Sequence, residues 1–538
     1  MSEEEGNAHL GDAITDEIIS ELQKIIGFDQ VLSRSSTMQY KDNRPSISEM
    51  AKDLRVNYII EGSIYRSGDN VGIRVKVIRA KNEDQVWANS YDGEWKDILF
   101  IQDNIAKEIA EGLKVVLSPE EIEQIEKRPT DNLEAYNFYL RGNDFYYSSY
   151  EQHNWRISID MYKQAIELDS NFALAYTMLA SSYLHLFWFH FDRSDEVLIN
   201  SKEAIDAAFK IDPNLPEAYL ALGHYYYWGF LNYSEALKQF ETVLRFKPDN
   251  AECLYLIAAV NRRMGNWKEA EEGFLEAARN DPRSSRIASN TANTYYLMGE
   301  YSKSLYYSNI AISLSPDFPE AYREKIVLFL KWEGNTTNAR KTLQEASSII
   351  NPSSNPRFIE IIVLLDIFDG QYQKAIDFLD TTNFEAVQVQ FYYYPKALLY
   401  AMIYDLMKNK ENAEHYYNLS RILLEDRILK YPDDSGLYGA LGISLAGLSQ
   451  KERAIQAGEK GVELIPVSKE AWKGVHRLGE LAQIYVMVGE YELALEKLDY
   501  LLSIPGILSA KLLQLDPIWK PLWDHPGFTQ LIEKYSDK

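Results

Sequence analysis

Residues 251–284 read AECLYLIAAVNRRMGNWKEAEEGFLEAARNDPRS, and this stretch decides the architecture. Leu254, Ile257, Ala258 and Asn261 recur at spacings of three and four, so they share one face of a helix. Gly265 follows at the helix end, where a left-handed backbone is needed and a side chain is penalised, and Trp267 then fills the gap before a second helix. Ala270, Phe274 and Ala277 line the inner face of that second helix, with small residues where two helices approach and one ring to lock them. Pro282 ends it, because proline lacks the N–H and disfavours helical geometry in the residue before it.

The same beat returns along the chain. Gly299-Glu300-Tyr301, Gly370-Gln371-Tyr372 and Gly489-Glu490-Tyr491 repeat the turn, and Pro248, Pro282 and Pro316 stand 34 residues apart, as do Pro432 and Pro466. A period of that length with this punctuation marks stacked helix pairs, and the residues resemble the tetratricopeptide repeat (TPR). Looser units fill 133–170, 171–213, 214–248, 317–352, 353–383, 384–432 and 467–505. The expected fold is therefore mainly α: a TPR α-solenoid, a right-handed superhelix of about ten helix pairs over residues 126–505. The proline-broken segment 506–538, with Pro517, Pro521 and Pro526, is expected to cap its open end.

Before about residue 125 another rule holds. Asp12–Ile26 reads as an amphipathic helix, and Ser46-Ile47-Ser48-Glu49 is a capping box opening a second one. Residues 58–65 and 71–78 alternate as two strands around the turn Ser67-Gly68-Asp69-Asn70, and residues 85–91 supply a third. Asp97–Leu117 is a helix with Ile98, Ile101, Ile105, Ile109 and Leu113 on one stripe. The spacing thus predicts a small α+β domain over residues 1–125, joined to the array by the charged run 120–129, read as a helical continuation.

Residues 11–18, 57–64 (NYIIEGSI), 86–91 (VWANSY) and 100–103 resemble the FlgO-like or TolB-N-like domain found upstream of TPR arrays in bacterial signalling proteins. Residues 135–142, 515–522 and 525–528 resemble the first array helix and the C-terminal closure of the same proteins. The resemblance implies an effector such as a class III adenylate cyclase, a winged-helix transcription regulator or a protein kinase, none of which is read in these residues. It also implies a β-strand before the first helix that these residues do not read as, so a sheet lacking one strand is expected, in a chain that is either a fragment or the product of a late start codon.

Composition excludes other classes. Apolar residues make up 46% and charged residues 25%, as in ordinary soluble proteins, and no apolar run is long enough to span a bilayer. A cytoplasmic location is expected, unless a membrane span upstream places the chain elsewhere. The formal charge of −24 repels phosphate backbones, so a protein or peptide partner is expected and direct nucleic-acid binding is not. The single cysteine, Cys253, fits a buried helix position. No phosphate loop, metal helix or nucleophile elbow is found, and His185 and His190 are expected to point to different faces of a helix. Catalytic, cofactor and metal residues are therefore expected to be none, and the chain is not expected to be an enzyme.

The first helices of such a stack line its groove. A stripe at spacings of three, four and three gives His224, Tyr227, Tyr255, Arg262, Arg286, Asn293, Tyr296 and Arg323 as the candidate partner-binding surface. Arginine offers a forked donor to carboxylates and asparagine pairs with amides, which suits an extended peptide. Within Tyr225-Tyr226-Tyr227-Trp228, Tyr227 is expected to be the exposed ring. The expected function is a protein-interaction or sensory module of a bacterial signalling protein. The alternatives are part of a cyclase or winged-helix regulator with its effector upstream, and a free-standing scaffold.

Overall fold

A computed structural model describes residues 3–25, 27–28, 30–40, 45–148, 151–351 and 355–536. Ile26, the expected end of the first helix, lies outside the described residues. The chain forms two compact units: residues 1–257 with 276–284, and residues 258–275 with 285–538.

Unit 1 opens with helix α1 (Glu3–Leu22), a short turn α2 (Arg34–Thr37) and α3 (Ile47–Leu54). The capping box at α3 forms as read, with Glu49 N donating to Ser46 Oγ and Ser46 N to the Glu49 carboxylate. Strands β1 (Tyr58–Ser67), β2 (Asn70–Arg79) and β3 (Asp84–Glu94) make an antiparallel sheet in the order β1-β2-β3. Its register sets Ile64 opposite Ile73 and Ile73 opposite Tyr91, so one face gathers Val71, Ile73, Val75 and Val77 for burial. Helix α4 (Ile98–Gly112) lays the predicted isoleucine stripe into that layer, with Ile98, Ile105 and Ile109 fully buried. The charged run is its own short helix, α5 (Pro119–Glu126), capped by Ser118.

The helix pairs of unit 1 continue one apolar core from Ile14 to Ala221. They are α6 (Leu133–Ser148) with α7 (Gln152–Leu168) and α8 (Ala173–Trp188) with α9 (Asp195–Ile211), and the core ends on α10 (Pro216–His224), which pairs with α11 (Tyr233–Phe246). A fourth pair, α12 (Ala251–Met264) and α13 (Trp267–Asn280), carries the chain from one unit to the other. Residues just after α13 stay with unit 1 because Ser33 and Ser36 donate to the Asp281 carboxylate and Arg283 pairs with Asp53 at 2.9 Å.

Unit 2 holds α14 (Ser285–Met298) with α15 (Tyr301–Leu314), α16 (Pro319–Glu333) with α17 (Thr337–Ser347), and α18 (Pro356–Phe368) with α19 (Tyr372–Asp380). A two-stranded hairpin, β4 (Ala386–Gln388) and β5 (Tyr393–Pro395), interrupts the series. Then come α20 (Lys396–Leu406) with α21 (Lys410–Lys430), α22 (Ser435–Gly447) with α23 (Lys451–Leu464), and α24 (Ala471–Met487) with α25 (Tyr491–Ser503). Ten pairs are thus seen among the described residues, and the fold is a mainly α TPR solenoid preceded by a small sheet.

The punctuation works as the residues require. Gly265, Gly299, Gly370 and Gly489 all sit at φ between 70° and 82°, the left-handed region that a side chain would strain. Ala270, Phe274 and Ala277 are completely buried, and removing Phe274 from water contributes about 1.5–3 kcal/mol. The C-terminal α26 (Ala510–Leu515), a 3₁₀ turn (Pro517–Leu522) and α27 (Pro526–Tyr535) add Trp519, Leu522, Phe528 and Leu531 to the core of the last pair.

The unit then closes on itself. Gly506 N donates to Leu297 O at 2.9 Å, and Tyr296 Oη to Ile507 O at 3.3 Å. Lys331 Nζ donates to Tyr296 O and Gly506 O at 2.8 and 2.6 Å, while Ser509 Oγ donates to Lys331 O at 2.6 Å. The last segment is thereby sewn to α14 and α16, and what a simple stack would leave as an open stripe becomes an interior.

Candidate functional site

The closure places a polar, aromatic cluster on the inner face of unit 2, built mainly from first helices of its pairs. Helix α12 supplies Arg262 and Arg263, α14 supplies Ser289, Asn293 and Tyr296, and α16 supplies Arg323, Glu324 and Lys331. Glu360 comes from α18, and Trp472, His476, Arg477 and Glu480 from α24.

Arg263 is 2% exposed and meets Glu470, which is fully buried, at 3.2 Å. Glu470 also caps α24, accepting from Trp472 N at 2.9 Å and Lys473 N at 2.7 Å. The other arm of the Arg263 fork donates to Gln390 Oε1 at 2.6 Å. Arg477 donates to the carbonyl of Phe391 and lies 3.2 Å from Glu480. Tyr394 Oη donates to Glu480 Oε1 at 3.0 Å, and Tyr392 Oη to Glu360 Oε1 at 2.6 Å, while Arg323 Nη2 reaches Tyr392 Oη at 3.4 Å. The Phe391 ring packs on Trp472 at 4.7 Å and stacks on His476 at 4.8 Å. Four helices therefore converge on one protruding stretch, the β4–β5 hairpin.

Burial sets the electrostatics of this interior. It pushes the Glu480 carboxyl up to about 7 against the opposing pull of Arg477 and Tyr394, and the Glu324 carboxyl up to about 8 despite hydrogen bonds from Ser289 and Asn293. Lys331 falls to about 7 for the same reason. His476 lies well below its ordinary range through burial and the nearby Arg477, Arg323 and Arg263, so a neutral ring stacks on Phe391. Burial works against the charge of Arg323, but Tyr392, Glu360 and Glu320 outweigh it and hold the guanidinium protonated.

The eight residues expected to form the binding stripe divide between the units. His224, Tyr227 and Tyr255 belong to unit 1 and the other five to unit 2. Tyr227 corrects the expectation: it is 3% exposed, packed against Trp188 at 5.2 Å and Tyr233 at 5.9 Å. Residues 225–229 form a π-helical turn, which shifts the helical phase and rotates Tyr227 inward while Phe230 is exposed. His224 is buried as well, its ring stacked on Trp228 at 4.0 Å. Arg262 is a second correction, because its guanidinium donates to Asn290 O, Asn290 Oδ1 and Thr294 Oγ1 and lies 4.3 Å over the Trp472 ring. The closing helix α24 turns that position from groove into core.

Tyr255, Arg286, Asn293, Tyr296 and Arg323 are half-buried. Asn293 donates to the Glu324 carboxylate, and Arg323 reaches the hairpin through Tyr392. The sequence reading missed Arg263, Glu360, Trp472, His476, Arg477 and the hairpin itself. One signal was available: unit 384–432 exceeds the repeat length by about fifteen residues, a surplus shared between the stretch 384–395 that carries the hairpin and the long helix α21.

Elsewhere, Cys253 is buried and desolvation raises its thiol, as a packing residue requires. His185 is held by Ser181 O at 2.8 Å and Tyr146 Oη at 3.1 Å. Among the described residues no cluster of His, Cys, Asp or Glu is placed to hold a metal, and no helix is long and apolar enough to cross a membrane.

Comparison with known proteins agrees with the fold. Residues 220–285 match the tetratricopeptide repeat family. Residues 3–108, the stretch resembling a FlgO-like domain, match a family of a different description, the HilA/YgeH-like transcriptional regulator, second domain. The chain is 30% identical over 183 residues to putative adenylate cyclase 3 of Rhizobium meliloti (strain 1021), covering 34% of this chain and 30% of that protein. It is similar to a thermophilic TPR protein of Thermus thermophilus (17% identity, 36% of this chain, 99% of that chain, TM-score 0.32). It is also similar to pilF of Pseudomonas aeruginosa (16% identity, 47% of this chain, 92% of that chain, TM-score 0.29). The chain thus spans less than a third of the curated relative's length, and its repeats are of tetratricopeptide type.

Proposed function

We propose that the chain is a non-catalytic interaction module of a bacterial signalling protein, in which the inner face of unit 2 receives an extended polypeptide segment. The observation that carries this reading is the convergence of arginines from three separate repeats, Arg263, Arg323 and Arg477, on side chains and a backbone carbonyl of one stretch of polypeptide. Charge-assisted forks that hold amides and carbonyls suit peptide recognition, and the neutral His476 and Trp472 add flat surfaces for an aromatic residue. In the full protein the module is proposed to report to an adenylate cyclase or a transcription regulator, a setting supported by the relative and by the match over residues 3–108.

Two measurements test this. Random peptides displayed on phage and selected on the purified chain are expected to bind the parent and to lose about 10-fold or more in affinity on Arg323→Gln, the worth of one charge-assisted hydrogen bond. The same preparation incubated with ATP and Mg²⁺ is expected to yield no cyclic AMP. Cyclic AMP formation, or peptide binding indifferent to Arg323, would overturn the reading.

A further inference from the structure

The connection 381–395 is far longer than joining α19 to α20 requires, since the links from one pair to the next at 281–284 and 315–318 need only four residues. Long connections in a compact array mark functional segments. Its base is anchored in apolar core, with Val387 fully buried and Val389 nearly so beside Ile359, Ile376 and Leu399, and the ring of Tyr392 reaches the same core. Its tip, Gln390-Phe391-Tyr392, is held by hydrogen bonds and ring stacking on side chains of α12, α16, α18 and α24. These polar and ring contacts come from helices of other pairs, and a segment carrying the same groups can make them in the tip's place.

Resting on the inner-face reading above, we infer that the hairpin tip is a built-in competitor: it occupies the binding face, and a partner must displace it with a segment of like chemistry. That segment carries an amide side chain for Arg263, an aromatic ring for the Trp472 and His476 faces with its carbonyl toward Arg477, and a tyrosine hydroxyl for Glu360 and Arg323. The seated tip lowers a partner's apparent affinity by the fraction of time the face is open, so a tip docked 99% of the time costs about 100-fold.

The probe is a fluorescein-labelled peptide of residues 387–395, VQVQFYYYP, titrated by fluorescence anisotropy into the full chain. Phe391→Ala with Tyr392→Ala, checked for parental circular dichroism and melting, is expected to bind it at least 10-fold more tightly than the parent. A probe with the same two residues changed to alanine is expected not to bind. Tyr392→Phe, which removes only the hydroxyl contacts with Glu360 and Arg323, gives a second reading in a barely altered chain, with an intermediate gain expected. Equal affinity of the parent and both variants overturns the inference. So does failure of the probe on the emptied face while phage-selected peptides still depend on Arg323, a result that leaves the binding face standing without its competitor.

Discussion

Replacing Glu470 by Gln tests whether the interior of unit 2 is held by a desolvated ion pair. Arg263 and Glu470 are 2% and 0% exposed and lie 3.2 Å apart, so solvent screening is absent and neither charge can be rehydrated by a small movement. Trp472 N and Lys473 N donate to different oxygens of the carboxylate, so glutamine, with one oxygen, keeps one of the two cap bonds and sets an NH2 against the other donor, and it takes the countercharge away from Arg263, which keeps its bond to Gln390 and its ring contacts. Removing one partner of a buried pair costs about 3–5 kcal/mol. Glu470→Gln loses half the cap as well as the charge and so lies within that range, at about 3–5 kcal/mol, while Arg263→Met, which leaves the carboxylate its two backbone donors, lies at the lower end, about 3 kcal/mol. The double variant removes both charges together and is expected to cost only about 1–2 kcal/mol, a coupling of several kcal/mol where independent sites would add within about 0.5. Because repeat arrays do not unfold in one step, the quantity to measure is the opening free energy of α24 amides by native-state hydrogen exchange. Additive single and double values would refute the argument that the two charges stabilise only each other.

Three further outcomes are expected. Lys331 has a folded pKa lowered from 10.5 to about 7, so the folded chain binds fewer protons between those values and its stability rises with pH across that window, by at most about 1.4 kcal/mol per pH unit; Lys331→Met flattens the rise, and equal slopes in parallel denaturation series refute it. Glu324 is the opposite case, with a folded pKa raised from 4.5 to about 8, so the stability it contributes is present below 4.5 and lost as pH climbs toward 8; Glu324→Gln is expected to melt higher than the parent at pH 8.5 and not at pH 4.5. A methyl group at Gly442 would meet Ile484 Cδ1 at 2.4 Å and Ala454 O at 3.0 Å, whereas one at Gly489 meets nothing within 4 Å. Gly442→Ala is therefore expected to cost about 1–3 kcal/mol by overpacking and Gly489→Ala about 1 kcal/mol through its positive φ, an order that chemical denaturation can reverse.

The architecture was legible because each repeat satisfies itself locally. A glycine at the end of a first helix, an aromatic two residues on and a proline after the second helix are short-range requirements, and Gly265, Trp267 and Pro282 meet them wherever the pair stands in the array. The sheet was legible for the same reason, since Val71, Ile73, Val75 and Val77 alternate against solvent-facing Arg74 and Lys76. The binding face was harder to read. Assigning Tyr227 to the surface assumes an unbroken helical phase, which the π-turn at 225–229 breaks. Assigning Arg262 to an open groove assumes that no distant repeat covers it, and α24, some two hundred residues later, does so. Periodicity says which face of its own pair a residue occupies, and it is silent on which pairs meet after the array has curved.

The most direct test of the account is hydrogen–deuterium exchange across residues 386–396 in the full chain. The seated hairpin predicts slow exchange there, including the Val389 and Lys396 amides that donate to Tyr392 O and Glu385 O, and acceleration when a phage-selected, Arg323-dependent peptide is added. Exchange at the rate of an unstructured loop in the free chain, or protection unchanged by a bound peptide, would contradict it.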